Sequence, residues 1–300
     1  MTVDPPQPRK RAGASSIVWL LVLLAAILVV MMVGAMSRAR SVASADSTDS
    51  AAATAAVALS QSHAVSPEIM AELENIPDFA WQEAGMHGAS APAVVGDGDT
   101  VGSKAEVLYI GAGYCPYCAA ARWSMVTALS RFGKFSDLSL GRSSASDVYP
   151  NTPTFSFHQS SYTSPYVTFE PVEEAGNVEQ PDGKYNPLEK PTAAQQALLQ
   201  KYDAPPYVSA QDAGGIPFIL IGDRFMWDGS PFDPGLLAGK SQAAIAATLA
   251  HASGDAADAI LSNANVITAT ICAVDGGSPT EVCSTSVIQS VIHALPRSTP

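Results

Sequence analysis

Residues 107–133 read VLYIGAGYCPYCAAARWSMVTALSRFG, and this stretch decides the fold. Its apolar start, residues 107–110, is short, ends at glycines and is typical of a buried strand. From Ala119 to Phe132, apolar residues recur at helical spacing, and Gly133 is a typical helix stop. The motif Cys115-Pro116-Tyr117-Cys118 therefore lies between a buried strand and the first turn of a helix.

A cysteine at the amino end of a helix faces unpaired backbone N–H groups and the positive end of the helix dipole. Both favour the thiolate, and the pKa of such a thiol falls from about 8.5 to between about 3.5 and 7.5. Cys115 is therefore predicted as the attacking sulfur, and Cys118, one turn deeper, as the resolving thiol. Pro116 suits the first helical turn, where its missing N–H has no partner to lose. Tyr117, between the cysteines, is a candidate substrate contact.

The second cysteine pair, Cys272 and Cys283, brackets a turn-rich loop. A structural disulfide closing this loop is the preferred interpretation, and a relay that passes oxidising equivalents to the first pair is the alternative. A zinc site needs four ligands at short spacing, whereas the cysteine pairs and the histidines are scattered along the chain. We predict neither a metal nor a cofactor.

Residues Ile17 to Met36 form an apolar run without a charge. At about 1.5 Å per residue, this run spans the hydrocarbon core of roughly 30 Å. A cleaved signal peptide is the alternative, supported by Ala43-Ser44-Ala45, but the run is longer than a signal-peptide core and Arg38 follows it. Charge placement weakly favours a cytoplasmic N-terminus, and the cysteines fit an oxidising compartment. We predict a single-pass cell-membrane protein whose main domain is extracytoplasmic.

The chain of 300 residues is acidic, with a formal net charge of −12. Five of its basic residues but only one acidic residue lie in the first forty positions, so the remainder is more acidic still. Nucleic acid is excluded as a partner because phosphate binding needs a basic surface. The predicted partners are protein thiols or disulfides of the cell envelope, besides the membrane itself.

Composition and turn residues divide the chain. The predicted parts are a cytoplasmic tail (1–16), a transmembrane helix (17–36), an Ala/Ser/Thr linker (37–63), a mixed α/β domain (64–252) with an insertion (143–191), and a helical C-terminal extension (253–300). Ser66 is the expected N-cap of a helix reaching Glu74. Residues 171–191 are interpreted as a polar loop. Ile216-Pro217 leads an apolar strand that turns at Asp223 into a hairpin, and the order of elements predicts a mixed sheet flanked by helices.

The motif GYCPYC after an apolar strand, with Gly-Ile216-Pro217 before a later strand, resembles the thioredoxin superfamily over about residues 100–250. The resemblance implies a thioredoxin-like fold, thiol–disulfide oxidoreductase activity at Cys115 and Cys118, and a cis Pro217 packed against the dithiol. The segments YCPYCAAARW, YPNTPTF and SYTSPY are similar to those of an uncharacterised family. That family, a domain of unknown function, comprises membrane-anchored thioredoxin-like proteins from actinobacteria and archaea and has no settled activity.

Two residues depart from the thioredoxin pattern. Tyr109 stands where thioredoxin keeps a buried aspartate beneath the dithiol, and Tyr114 stands where it has tryptophan. Both departures argue against coupling to a thioredoxin reductase and leave glutaredoxin-like or periplasmic oxidase-like behaviour open. Arg122, one turn below Cys118, is expected in a salt bridge or in solvent, with thiolate stabilisation or substrate carboxylate binding as alternatives.

Three functions follow, in this order of preference. The first is a membrane-anchored thiol–disulfide oxidoreductase, for which the sequence leaves the direction of electron flow open. The second is a non-catalytic thioredoxin-like binding module. The third is a Cu(I) carrier that uses the two thiols.

Overall fold

The computed structural model describes residues 63–97 and 104–297. The predicted tail and membrane span, together with the linker up to residue 62, lie outside these residues; the linker's last predicted residue, His63, begins β1. The strands are β1 (His63–Ala64), β2 (Ala93–Val94), β3 (Ala105–Gly111), β4 (Lys134–Ser136), β5 (Ser139–Arg142), β6 (Pro153–Ser156), β7 (Ser161–Thr163), β8 (Val167–Glu173), β9 (Ala175–Glu179), β10 (Tyr185–Pro187), β11 (Phe218–Ile221) and β12 (Phe225–Asp228). The helices are α1 (Pro67–Glu74), α2 (Asp78–Ala84), α3 (Pro116–Leu129), α4 (Ala193–Tyr202), α5 (Gln242–Leu249), α6 (Asp255–Asp275), α7 (Thr280–Cys283) and α8 (Ser286–Ala294), and a short 3₁₀ turn spans Pro234–Leu237.

The central sheet has five strands in the order β2-β12-β11-β3-β8. Strand β3 pairs with β8 in parallel, whereas the other neighbours are antiparallel. The β11–β12 hairpin turns at Asp223, which has a positive φ of 53°. The prediction of a mixed α/β sheet flanked by helices is therefore confirmed.

The side chains of β3 alternate between two apolar layers, because successive Cβ atoms in a strand point to opposite faces of the sheet. Val107 and Tyr109 belong to the large core that includes residues of α3 and α6. Leu108 and Ile110 belong to a smaller cluster with Tyr202 of α4. Both faces of β3 are covered, which explains why the strand is a nearly continuous apolar run.

Helix α6 is buried on nearly all sides and packs against α3 and α8. In the described part of the chain, it is the one helix long and apolar enough to cross a membrane, but 83% of that window is buried inside the protein. The buried polar side chains of this helix need hydrogen-bond partners inside the protein. Asn265 on α6 also donates from Nδ2 to the carbonyls of Trp81 and Gly85. Helix α6, which falls in the predicted C-terminal extension, therefore forms part of the main core of the described residues.

Side-chain caps begin α1, as predicted at Ser66, and α4. Ser66 Oγ accepts a hydrogen bond from the N–H of Ile69 at the start of α1. Thr192 and Gln195 cap each other reciprocally at the start of α4.

The interpretation of residues 171–191 as a polar loop is wrong for most of its length. Strand β8 continues to Glu173, and the β9–β10 hairpin follows it. This hairpin is held by backbone pairing and carries few apolar side chains, so its sequence lacks the alternation that marks a half-buried strand.

The second cysteine pair forms a disulfide between the end of α6 and α7. Both Cys272 and Cys283 are buried. Val274, two residues after Cys272, lies against Gly222. Gly222 follows the last residue of β11, whereas Pro217 precedes the first. The predicted pairing of Cys272 with Cys283 is confirmed, and the disulfide lies at the opposite end of the central sheet from the first pair.

Replacing both Cys272 and Cys283 with alanine should lower the free energy of unfolding. The disulfide joins residues 11 apart, and closing a loop of this length contributes roughly 2–3 kcal/mol by restricting the unfolded chain. Equilibrium denaturation of the variant and the wild type measures the difference. The Cys115→Ala/Cys118→Ala variant, with the same number of cysteines removed, is the control, and an equal loss in both variants would contradict the assignment.

Candidate dithiol site

The first cysteine lies at the amino end of α3. Cys115 is the N-cap residue of this helix and Pro116 is its first residue. The backbone N–H of Cys118 donates to Cys115 Sγ at 3.2 Å. The sulfur therefore occupies the position where an N-cap side chain normally accepts, facing the positive end of the helix dipole.

The segment before β11 packs against the same sulfur. The Ile216–Pro217 peptide bond is cis, as the resemblance implied. The Cys115 thiol donates to the Ile216 carbonyl over 3.8 Å. Both cysteines are reduced; Cys115 is only 4% exposed and Cys118 is fully buried. Access to Cys115 is therefore limited to a small part of its surface.

The two thiols differ in acidity. The pKa of Cys115 is lowered from its ordinary value by hydrogen bonding to the Cys118 side chain and backbone N–H and by the charge of Arg122, although burial opposes this shift. Burial raises the pKa of Cys118 well above its ordinary value. Cys115 is therefore the sulfur that ionises first, as expected of an attacking thiol.

A buried ion pair lies beneath the dithiol. Arg122 donates from Nε and Nη2 to the two carboxylate oxygens of Glu173 at 2.7 and 2.6 Å. Its Nη2 also donates to the carbonyl of Ala112, three residues before Cys115, at 2.7 Å. Both side chains are 1% exposed. The salt bridge expected of Arg122 is confirmed, and the alternative of a solvent-exposed Arg122 is wrong. Its partner, Glu173, lies in the segment that the sequence analysis interpreted as a loop.

The hydroxyl group of Tyr109 lies beside Cys118. Tyr109 is fully buried, and its hydroxyl oxygen has no hydrogen-bond partner among the described residues. A Cβ at Gly111 would collide with this hydroxyl and would come within 3.0 Å of Cys118 Sγ. Residue 111 must therefore be glycine for the Tyr109 side chain to lie beneath the dithiol. Burial raises the pKa of the Tyr109 hydroxyl well above its ordinary value.

Four tyrosines form an aromatic rim around the dithiol. Tyr114 stacks on Tyr185 with ring centroids 4.3 Å apart, and Tyr117 contacts Tyr149 edge to face at 5.9 Å. Tyr117 is 39% exposed, which suits the predicted substrate contact. Tyr149 and Tyr185 were missed by the sequence reasoning because they lie in the irregular region after residue 143, whose contacts no local pattern reveals.

The remaining titratable residues give no metal-binding arrangement in the described ranges. No group of three or more His, Cys, Asp or Glu side chains there is arranged to hold an ion. The site as it stands offers two thiols of unlike acidity, a buried guanidinium and an aromatic rim. Such a set can carry out thiol–disulfide exchange.

The Glu173→Gln substitution should lower the free energy of unfolding by about 3 kcal/mol, because it leaves the Arg122 guanidinium buried without a counter-charge. Equilibrium denaturation measures this loss. Glu170→Gln is the matched control, since Glu170 is exposed on the same strand and its loss should cost less than about 0.5 kcal/mol. Similar values for the two variants would show that the buried pair does not stabilise the fold.

Comparison with known proteins gives one match. The family model described as "Domain of unknown function (DUF929)" matches residues 99–273, more than half of the chain. The matched range runs from before β3 to near the end of α6 and includes the dithiol, Glu173 and the segment before β11. No curated protein and no solved structure matches the chain.

Proposed function

The chain belongs to the DUF929 family, and we propose from its dithiol site that it is a thioredoxin-like thiol–disulfide oxidoreductase. The observation that carries this proposal is the position of Cys115 Sγ, which accepts from the Cys118 N–H at the start of α3. A thiolate is the nucleophile in disulfide exchange, and this position favours the thiolate. Cys118, whose backbone N–H contacts that sulfur, is the proposed resolving thiol.

The proposed reaction proceeds in two exchanges. The Cys115 thiolate attacks one sulfur of a substrate disulfide, forms a mixed disulfide and releases the other substrate sulfur as a thiolate. Cys118 then loses its proton and attacks Cys115 Sγ, which releases the second substrate thiolate and leaves a Cys115–Cys118 disulfide. The substrate gains two electrons and the protein loses them. Run backwards, the same steps oxidise a substrate dithiol.

Buried groups beside Cys118 assist its ionisation in this proposal. The Arg122 charge lowers the pKa of Cys118, although burial outweighs this effect. The Tyr109 hydroxyl, which has no partner in the described residues, donates to the Cys118 thiolate when that thiolate forms. A hydrogen bond to a charged acceptor is stronger than one to a neutral thiol.

The thioredoxin-like assignment is supported by the order of elements around the site. Strand β3 leads into the cysteine-bearing helix α3, and Ile216-Pro217 leads into β11 beside it. The parallel strand β8 flanks β3 on its other side. These elements bring two distant segments, the dithiol and the segment before β11, to one edge of the sheet.

The proposed location is the outer face of the cell membrane. The uncharged run Ile17 to Met36 supports a membrane anchor with a cytoplasmic N-terminus. The Cys272–Cys283 disulfide supports an oxidising compartment for the remainder of the chain. The proposed substrates are protein thiols or disulfides of the cell envelope.

One observation favours a second function, a non-catalytic binding module. Cys115 is only 4% exposed, so a substrate disulfide reaches its sulfur only along a narrow approach. A module that binds its partner through the aromatic rim would not need access to the Cys115 sulfur.

Trapping of the mixed disulfide separates these functions. In the full chain, Cys118→Ser should accumulate a mixed disulfide between Cys115 and a disulfide-bonded protein substrate, because the resolving thiol is absent. Cys115→Ser should give no adduct and should reduce the exchange rate to the uncatalysed level. Non-reducing electrophoresis with mass identification of the linked peptides measures both outcomes.

The matched control is Cys272→Ala/Cys283→Ala, which should retain exchange activity. Wild-type exchange in Cys115→Ser would exclude the proposed nucleophile. Absence of exchange in the wild type together with an unchanged partner complex in Cys115→Ser would favour the binding module, and stoichiometric Cu(I) binding lost with both thiols would favour a carrier.

A further inference from the structure

Four segments of the chain meet around the dithiol and form the surface that a substrate contacts. We name them the site segments, and they are residues 142–151, 173–187, 203–217 and 229–240. The N–H of Ser144 donates to the Tyr114 carbonyl at 2.8 Å, and the N–H of Gly113 donates to the Ala175 carbonyl at 2.7 Å. The first two site segments are therefore bonded to the residues just before Cys115.

The other two site segments reach the dithiol and its aromatic rim. The third contains Ile216, whose carbonyl accepts from the Cys115 thiol. The fourth contains Asp233, and hydrogen bonding to this carboxylate raises the pKa of the Tyr149 hydroxyl. Tyr149 in turn contacts Tyr117, which lies between the two cysteines. A polypeptide that brings a disulfide to Cys115 therefore meets side chains of these segments.

Acidic side chains outnumber basic ones in the site segments, even when Glu173, which is paired with Arg122, is left out. The remaining charged residues are seven acidic ones, Asp147, Glu174, Glu179, Asp182, Asp203, Asp212 and Asp233, and three basic ones, Arg142, Lys184 and Lys240. Within the described residues, none of these ten side chains takes part in an ion pair. Arg142 and Lys240 instead donate to backbone carbonyls. The surface around the dithiol therefore carries an excess of negative charge that the chain itself does not pair.

Two of these carboxylates act directly on tyrosines of the aromatic rim. The charge of Glu174 contributes to raising the pKa of Tyr114, and Asp233 has the same effect on Tyr149. Burial raises the pKa of Glu174 itself, so its charged form would gain from a cation beside it. The face of a tyrosine ring also attracts a cation. Rings and carboxylates together make a surface that is complementary to lysine and arginine side chains.

We propose that the dithiol site selects polypeptide substrates that carry lysine or arginine beside the reacting cysteine. This inference rests on the proposed function and names its substrate class. A cationic side chain next to the substrate disulfide meets tyrosine faces and unpaired carboxylates. An acidic side chain in the same place is repelled by those carboxylates and by the Cys115 thiolate. Charge complementarity of this kind speeds encounter and disfavours wrong partners.

Exchange kinetics with three matched peptide disulfides test the proposal. Each probe is a disulfide-linked dimer of the peptide acetyl-Gly-X-X-Cys-X-X-Gly-amide, in which X is lysine, glutamine or glutamate, and the reduced full chain in detergent is the reductant. Each rate is divided by the rate of the same probe with 2-mercaptoethanol, because a charged neighbour changes the reactivity of a disulfide by itself.

The corrected rates should fall in the order lysine, glutamine, glutamate. We expect the lysine probe to react about tenfold faster than the glutamate probe at about 0.01 M salt. The ratio should fall below about threefold at about 1 M salt, because the screening length shrinks from about 30 Å to about 3 Å.

Three charge-removing variants locate the effect. Asp233→Asn should lower the ratio of lysine to glutamate rates about threefold, and it should fold, because asparagine also accepts from the Gly235 N–H at this N-cap position. Glu174→Gln, on a different segment, should lower the ratio as well. The matched control is Glu281→Gln, an equal loss of charge at an exposed residue near Cys283, and it should leave the ratio unchanged.

A binding measurement separates this inference from the proposed function. Fluorescein-labelled peptides with serine in place of cysteine are titrated with the Cys115→Ser/Cys118→Ser variant, which cannot exchange, and anisotropy is read. The lysine peptide should bind at least about fivefold more tightly than the glutamate peptide. Charge-selective binding without exchange of any probe by the wild type would reject the oxidoreductase and leave cation recognition standing.

Four results would overturn the inference. These are equal corrected rates for the three probes at low salt, a faster reaction of the glutamate probe, a ratio unaffected by both Asp233→Asn and Glu174→Gln, and binding without preference for the lysine peptide. Exchange that proceeds without charge preference would leave the proposed function intact.

Discussion

The buried pair between Arg122 and Glu173 is the constraint on which the site depends. A guanidinium and a carboxylate that are both 1% exposed stabilise a protein only when they meet with good geometry, because each has lost its hydration. The ion pair therefore holds α3 against β8. In the parallel pairing of β3 with β8, Gly111 is the partner of Glu173, and this register places the carboxylate where Arg122 reaches it. The bond from Arg122 to the Ala112 carbonyl then holds the segment that leads into Cys115.

The same pair also acts on the dithiol. Towards the cysteines, the guanidinium adds a positive charge to the hydrogen bonds that favour the Cys115 thiolate, and Cys118 stays protonated because it is buried. The Tyr109 hydroxyl, held beneath Cys118 by the absence of a side chain at Gly111, completes the surroundings of the dithiol.

Local patterns in the sequence predicted the parts of the fold that depend on neighbouring residues. These include the strand before Cys115, the helix after it, the cap at Ser66 and the disulfide across a short loop. Long-range pairing was not accessible. Glu173 lies 51 residues from Arg122 in a polar stretch, so nothing local distinguished it from a solvated carboxylate. Helix α6 was predicted as a helix, and the absence of charged residues from 259 to 274 was the signal that it belongs in the core. The predicted membrane anchor lies outside the described residues.

The acidity of Cys115 relative to Cys118 is the central claim. The direct measurement is the rate of iodoacetamide alkylation of each cysteine in the reduced full chain, followed from pH 4 to 10 with peptide-resolved mass spectrometry. Cys115 should react with a midpoint below about 8.5, the ordinary value for a thiol, and Cys118 should stay unreactive until well above it. A midpoint for Cys115 at or above the ordinary value, or a faster reaction at Cys118, would contradict the account.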